Sequence, residues 1–164
     1  MRTFIGISLS DVALTRCVKL QEGLAKSGVR GNFTAKSNIH VTLEFLGEQN
    51  EENIKKIIKI MENIEFNKFS IKITKLTDLK DMVVLEVEKS EELVKLQSTL
   101  HDKLKGCGFR LEDRAYYHHI TLVREAKMKI NKDILIESEI REVTLFESTR
   151  INNRLVYNPI YKRG

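Results

Sequence analysis

The stretch His40-Val41-Thr42-Leu43 returns 79 residues later as His119-Ile120-Thr121-Leu122. In a β-strand, residues i and i+2 share a face and neighbours alternate. Ile39, Val41, Leu43 and Phe45 therefore make one continuous apolar face, which only a core satisfies. His40, Thr42 and Glu44 are driven to the opposite face. In the second copy Ile120 and Leu122 go one way, and Tyr117, His119 and Thr121 go the other. Each copy offers an imidazole and a hydroxyl about 7 Å apart along one strand. A histidine can transfer a proton, and a threonine hydroxyl can donate to a non-bridging phosphate oxygen. One such pair is commonplace on a solvent-facing strand. At average usage a given histidine carries an x-Thr-Leu tail roughly once in two hundred times. Here two of only four histidines do.

The motifs sit in a repeated order. Residues 3–9 alternate as a strand, Ser10 or Asp11 caps a helix, and Gly28 ends it. Residues 31–35 give a short strand and 39–47 the first motif strand. A helix follows from about Glu51 to Ile64, with Ile54, Ile57, Ile58 and Met61 as its apolar stripe. Strands 69–76 and 82–88 pair across the turn at Asp78–Asp81. Ser90 caps a third helix that Gly106 and Gly108 stop, and 116–123 is the second motif strand. Strands 140–148 and 154–162 close a hairpin around Asn152–Asn153. Residues 126–140 yield no assignment. Strand, helix, glycine stop and His strand thus occur at 3–43 and again at 82–122, which suggests an internal duplication. The expected fold is α+β: two pseudo-symmetric lobes, each an antiparallel sheet with helices on its outer face, and an active-site cleft between them. Residues 1–164 are expected to form a single bilobal domain.

Composition limits the partners. The chain has 164 residues, 41% of them apolar and 31% charged, in the range of a water-soluble globular protein. No apolar run reaches the ~18 residues that span a bilayer, and the first residues do not read as a secretory signal. No membrane association and a cytoplasmic location are expected. Two cysteines, Cys17 and Cys107, have no metal-type spacing. Cys17 falls in a helical pattern and is expected to be a buried thiol. Neither motif adds ligands at metal spacing, so no metal and no cofactor are expected. The net charge of +5 fits an anionic partner such as RNA.

The two motifs and their flanks carry a resemblance to a known family. Paired H-x-T-[hydrophobic] motifs, one per half chain, resemble the signature of the two-histidine phosphoesterase superfamily. "RTFIGISLS", "NIHVTLEFLGE" (38–48) and "HHITLVRE" (118–125) are similar to the branch of RNA 2′,3′-cyclic phosphodiesterases, also called 2′-5′ RNA ligases. The chain departs from that branch at His118, where proline is common; facing opposite His119, His118 is expected to be structural or exposed. The resemblance implies metal-independent hydrolysis of a 2′,3′-cyclic phosphate at an RNA 3′ end, leaving a 2′-phosphate. It implies His119 as base and His40 as acid, with Thr42 and Thr121 on the non-bridging oxygens. Arg124 is a candidate phosphate clamp, since its guanidinium donates two parallel bonds. Run in reverse, the site would join RNA ends without ATP. The partner implied is RNA ending in a 2′,3′-cyclic phosphate, met by a monomer.

Two other functions stay open at this point: a phosphodiesterase on a small cyclic phosphate, such as a nucleotide or ADP-ribose derivative, and a non-catalytic RNA-binding module. Further residues are candidates by position alone. Phe4 shares a strand face with Gly6 and Ser8, where it lines the cleft and stacks on a base, or else belongs to the core. Tyr117 points with His119 and is a possible cleft residue. His101 reads as a surface residue of its helix. Arg150, Arg154, Lys162 and Arg163 read either as a widened basic surface or as ordinary solvated charges.

Overall fold

The computed structural model describes residues 1–112 and 117–164. In chain order the elements are β1 (Arg2–Ile7), α1 (Asp11–Lys26), β2 (Asn32–Phe33), β3 (Val41–Glu48), α2 (Glu51–Glu62), β4 (Phe69–Leu79), β5 (Met82–Val87), α3 (Glu91–Gly106), β6 (His119–Arg124), β7 (Asn131–Ile140), β8 (Val143–Ile151) and β9 (Arg154–Arg163). The strands form two antiparallel sheets. One has the order β3-β1-β8-β9 and the other β2-β6-β5-β4-β7. The fold is α+β, and each sheet holds one of the two motif strands.

The local chemistry explains the helix limits. Ser10, Asn50 and Ser90 each turn a side-chain oxygen onto the backbone N–H three residues on. This satisfies one of the donors that a helix start leaves orphaned. α1 and α3 both run 16 residues. Both stop at a glycine with positive φ, Gly28 at 96° and Gly108 at 92°. The repeated order therefore extends to the caps.

The helices cross between the lobes. α1 follows a strand of the first sheet but packs on β6 and β7 of the second. α3 follows a strand of the second sheet but packs on β3 of the first, beside α2. Each helix carries a buried glutamine that ties down the opposite motif strand. Gln21 of α1 donates to the Leu122 carbonyl at 3.0 Å and to that of Thr34 at 2.8 Å. Gln97 of α3 donates to the Leu43 carbonyl at 2.6 Å. Its own amide oxygen accepts from Nε2 of His118, which is buried. His118 is thus structural.

The core holds residues of both sheets, including Ile5, Val41, Leu43, Ile57, Ile73, Leu85, Ile120 and Leu122. The alternation in both motifs runs as the sequence dictates from His to Leu. Beyond Leu43 it breaks. In the β1–β3 ladder Ile5 faces Glu44 and Gly6 faces Thr42, so Leu43 has no partner in the ladder. That β-bulge inserts one residue and flips the side chains that follow, until a second register shift at Leu46. Glu44 and Leu46 turn inward, and Phe45 turns out with 65% exposure. Glu44 then meets Nδ1 of His101, a histidine that helical spacing had assigned to the surface.

Other boundaries moved for simple reasons. β7 occupies residues left unassigned by the sequence, and it takes Ile140 from the expected strand 140–148. Its alternation is real, with Ile136, Ser138 and Ile140 buried, but a buried serine disguises it. Tyr116, with which the expected strand 116–123 begins, lies outside the described residues. The β8–β9 turn is built by Asn152 and Asn153 at φ 50° and 66°, the two positive angles that a type I′ hairpin requires. Cys17 is buried, and burial pushes its thiol up to about 11. Among the described residues no helix is long and apolar enough to cross a membrane.

Replacing Gln97 by leucine strips a buried carbonyl of its donor and a buried imidazole of its acceptor. Thermal or urea unfolding of Gln97→Leu is expected to show a loss of about 2 kcal/mol or more.

Candidate functional site

Both motif strands present their polar face to one cleft of about 1320 Å³. His40, Thr42, His119, Thr121 and Arg124 all line it. The first two come from the edge of one sheet and the last three from β6 of the other, so the chain assembles the five from both lobes.

The two imidazoles are held alike. Nδ1 of His40 lies 2.7 Å from the carbonyl of Asn38, and Nδ1 of His119 lies 3.0 Å from that of Tyr117. In each case the acceptor is the carbonyl two residues earlier. A carbonyl can only accept, so each Nδ1 carries the proton and donates it. Nε2 is then the ring nitrogen left for proton exchange. In His40 it stands 2.7 Å from the Thr42 hydroxyl. With the ring neutral, Nε2 accepts from Thr42; with the ring charged, it donates.

His40 is closed in by aromatic rings. Phe4 lies 4.9 Å from it, and Tyr157 meets it edge-on at 5.2 Å. Burial pushes its pKa down to about 4, with further lowering by the charges of Arg124 and His119. The Asn38 bond opposes these effects by favouring the charged ring. Arg124 and His119 therefore act electrostatically across the cleft on His40. Gly6 leaves the room beneath the ring. A Cβ there would come within 2.8 Å of the Val41 carbonyl and 3.3 Å of His40 Cδ2.

The remaining candidates separate. Phe4 lines the cleft but is only 4% exposed, stacked on Phe146 and edged by Tyr157. It supports His40 and has no free face for a base. Tyr117 shares the face of His119, as the spacing requires, and stacks on its ring at 5.3 Å. It backs His119, while the cleft lining itself does not include it. Arg150 and Arg154 line the cleft. Lys162 pairs with Glu142 at 3.4 Å, and Arg163 donates to the Ile64 carbonyl at 3.1 Å. Among the described residues no three His, Cys, Asp or Glu side chains gather as a metal site.

Two residues of the site were not singled out from the sequence. Asn38 receives the His40 bond on its carbonyl and donates from its side chain to the Leu155 carbonyl at 2.9 Å. It thus fastens the first motif to β9. Tyr157, on β9, closes over His40. Asn38 lies just two residues before the histidine, a spacing that could have flagged it; Tyr157 gives no local signal.

Paired H-x-T-L strands over one cleft between two lobes are the arrangement expected from the resemblance to the two-histidine phosphoesterases. The family model described as LigT like Phosphoesterase matches residues 9–80. The RNA 2′,3′-cyclic phosphodiesterase of Thermotoga maritima is 28% identical over 99% of this chain and 94% of its own length. That of Methanocaldococcus jannaschii is 28% identical over 98% of each. The apo crystal structure of E. coli LigT superposes with a TM-score of 0.85 at 22% identity, covering 99% of this chain and 95% of the other. The chain is thus similar to the LigT-like phosphoesterases over residues 9–80 and to two RNA 2′,3′-cyclic phosphodiesterases over nearly its whole length.

His40 and His118 both have pKa values pushed from 6.5 down to about 4, burial being the leading cause in each. The unfolded chain takes up these protons near pH 6.5, whereas the folded chain takes them up only near 4. Stability is therefore full above pH 6.5 and is lost as pH falls toward 4. Unfolding measured across that window is expected to show a loss on the order of 2 kcal/mol for His118, allowing for residual solvent screening. His118→Gln, which keeps a donor toward Gln97, should flatten the curve.

Proposed function

We propose that this chain hydrolyses 2′,3′-cyclic phosphates at RNA 3′ ends to 2′-phosphates, with His119 as general base and His40 as general acid. The observation that carries the reading is the pair of Nδ1–H bonds to the Asn38 and Tyr117 carbonyls. They set both imidazoles in one tautomer around a single cleft, with a threonine and an arginine to hold a phosphate. The names of the two curated relatives support the substrate. We further propose that the 164 residues act as one bilobal domain and as a monomer, since both lobes of the cleft come from one chain. The free thiols of Cys17 and Cys107 fit a reducing compartment such as the cytoplasm.

The chemistry balances without a metal. A water oxygen attacks phosphorus while His119 Nε2 takes its proton. The bond from phosphorus to the ribose 3′-oxygen breaks, and that oxygen takes a proton from His40 Nε2. A 2′-phosphate and a 3′-hydroxyl result. His119 suits the base role because it is the more open to water, and His40 suits the acid role because Phe4 and Tyr157 shield it. Thr42, Thr121 and Arg124 donate to the non-bridging oxygens as charge builds there. His40 is neutral in the empty cleft, so its acid form arises as the anionic phosphate enters and offsets Arg124. The same ring opened by an RNA 5′-hydroxyl instead of water gives a 2′-5′ linkage with no ATP.

An oligonucleotide ending in a 2′,3′-cyclic phosphate, assayed in EDTA, is expected to turn over to the 2′-phosphate. His40→Ala and His119→Ala should each lower the rate by about 10²-fold or more. Full activity in either variant would falsify the two-histidine mechanism, and abolition by EDTA would point to a metal.

The pH profile adds a second check. The acid limb of kcat/KM, which reports the free enzyme, should fall near pH 4, where His40 titrates. The limb of kcat should sit higher, because bound phosphate favours the charged ring. Arg124→Gln should move the kcat/KM limb upward by removing a positive neighbour; a limb that stays in place would count against Arg124 facing His40.

A further inference from the structure

The hydrolytic step uses the motif residues and leaves the end of the cleft at the β8–β9 hairpin unassigned. β8 runs from one to the other. Its ladder with β9 keeps one register from Phe146 to Ile151, so Phe146, Ser148 and Arg150 share a face. Phe146 stacks on Phe4 at 5.0 Å and lies 6.2 Å from the His40 ring. Ser148 stands opposite Tyr157, which meets His40 edge-on, and Arg150 stands opposite Leu155. Ser148, Arg150, Leu155 and Tyr157 all line the cleft. At about 7 Å per two residues, Arg150 is rooted roughly 14 Å beyond Phe146 along the strand. Its side chain is exposed, and Nη1 donates across the turn to the Asn153 carbonyl at 3.4 Å. That bond takes one of five N–H groups. Among the described residues no carboxylate pairs with Arg150. Glu147, the carboxylate nearest to it along β8, accepts instead from Asn158 at 3.5 Å. Arg154, paired with Ile151, starts from the opposite face of the ladder.

We propose that Arg150 binds the phosphodiester on the 5′ side of the terminal nucleotide, so that the cleft takes the ends of RNA chains ahead of free nucleoside cyclic phosphates. The inference rests on the phosphodiesterase reading above and specifies its substrate. The reacting phosphate sits with the motif residues, at the Phe146 end of the β8 face. The next phosphate of the strand is one nucleotide away. Two strand steps outward and the long arm of an arginine place a cation to meet it. A guanidinium forks onto two phosphate oxygens. Every phosphodiester carries the same charge, so the contact registers chain length and reads no base. It is made equally before and during the reaction, so its loss appears in KM. It also weakens as salt rises.

The test uses three substrates with wild type and Arg150→Gln. One is adenosine 2′,3′-cyclic phosphate. The second is the dinucleotide adenylyl-(3′→5′)-adenosine 2′,3′-cyclic phosphate. The third is that dinucleotide with its internal phosphodiester replaced by an uncharged methylphosphonate, which keeps both bases and removes only the charge. For wild type the charged dinucleotide is expected to have a KM about tenfold below that of the methylphosphonate, with kcat nearly equal, and the gap should shrink as salt is raised. Arg150→Gln should bring the two dinucleotides to the same KM. It should leave the mononucleoside untouched, which also shows that the variant is folded. Equal wild-type KM values for the two dinucleotides, or a gap that survives Arg150→Gln, would overturn the phosphodiester contact while the hydrolytic reading stands. No turnover of any compound by wild type would overturn the hydrolytic reading, and the contact with it.

Discussion

Gln97 donates to the carbonyl of Leu43, and Gln21 to that of Leu122, each from a helix that belongs by sequence to the other lobe. Both carbonyls lie next to a motif threonine, and both are buried. A buried carbonyl without a donor is costly, so each motif strand gains from a helix supplied from across the cleft, although the Leu122 carbonyl also accepts from the Thr34 backbone N–H at 2.9 Å. Leu43 feels this most, because the bulge leaves it without a partner in the ladder. The positions of His40 and His119 relative to one another follow from these two bonds together with the core that both sheets share and the direct packing of β3 on β6.

The bulge itself divides two roles along one strand. Before it, His40 and Thr42 face the cleft and Val41 and Leu43 the core. After it, Phe45 faces the cleft and Glu44 the core, where it meets His101 on α3. A regular strand would have sent the carboxylate of Glu44 into the cleft, against an anionic ligand, and sealed Phe45 away. One extra residue therefore improves the electrostatics of the cleft and adds an aromatic surface to it.

The motifs, the helix caps and most strands were legible in the sequence because they rest on local rules: alternation, a capping oxygen, a glycine at positive φ. What was not legible depends on partners far along the chain. The bulge at Leu43 exists only in register with β1. His101 looks like a surface residue until Glu44 turns inward. β7 hides behind Ser138, whose hydroxyl meets Ser10, 128 residues earlier. The two histidines and two threonines could be found from spacing alone. The carbonyls that fix the tautomers could not, nor could Tyr157, since each depends on backbone shape or on a strand from the far end of the chain.

The crossing of α1 and α3 has a consequence for how such a chain can arise. Either half alone would leave its motif carbonyl unmet and its sheet without the helix that covers it. Two copies of one half would cover each other by trading helices, as domain-swapped dimers do. The present chain holds that exchange within itself, joined by α2 and β4. Its two motif strands then resemble an isologous interface made permanent, in which the partner can no longer dissociate.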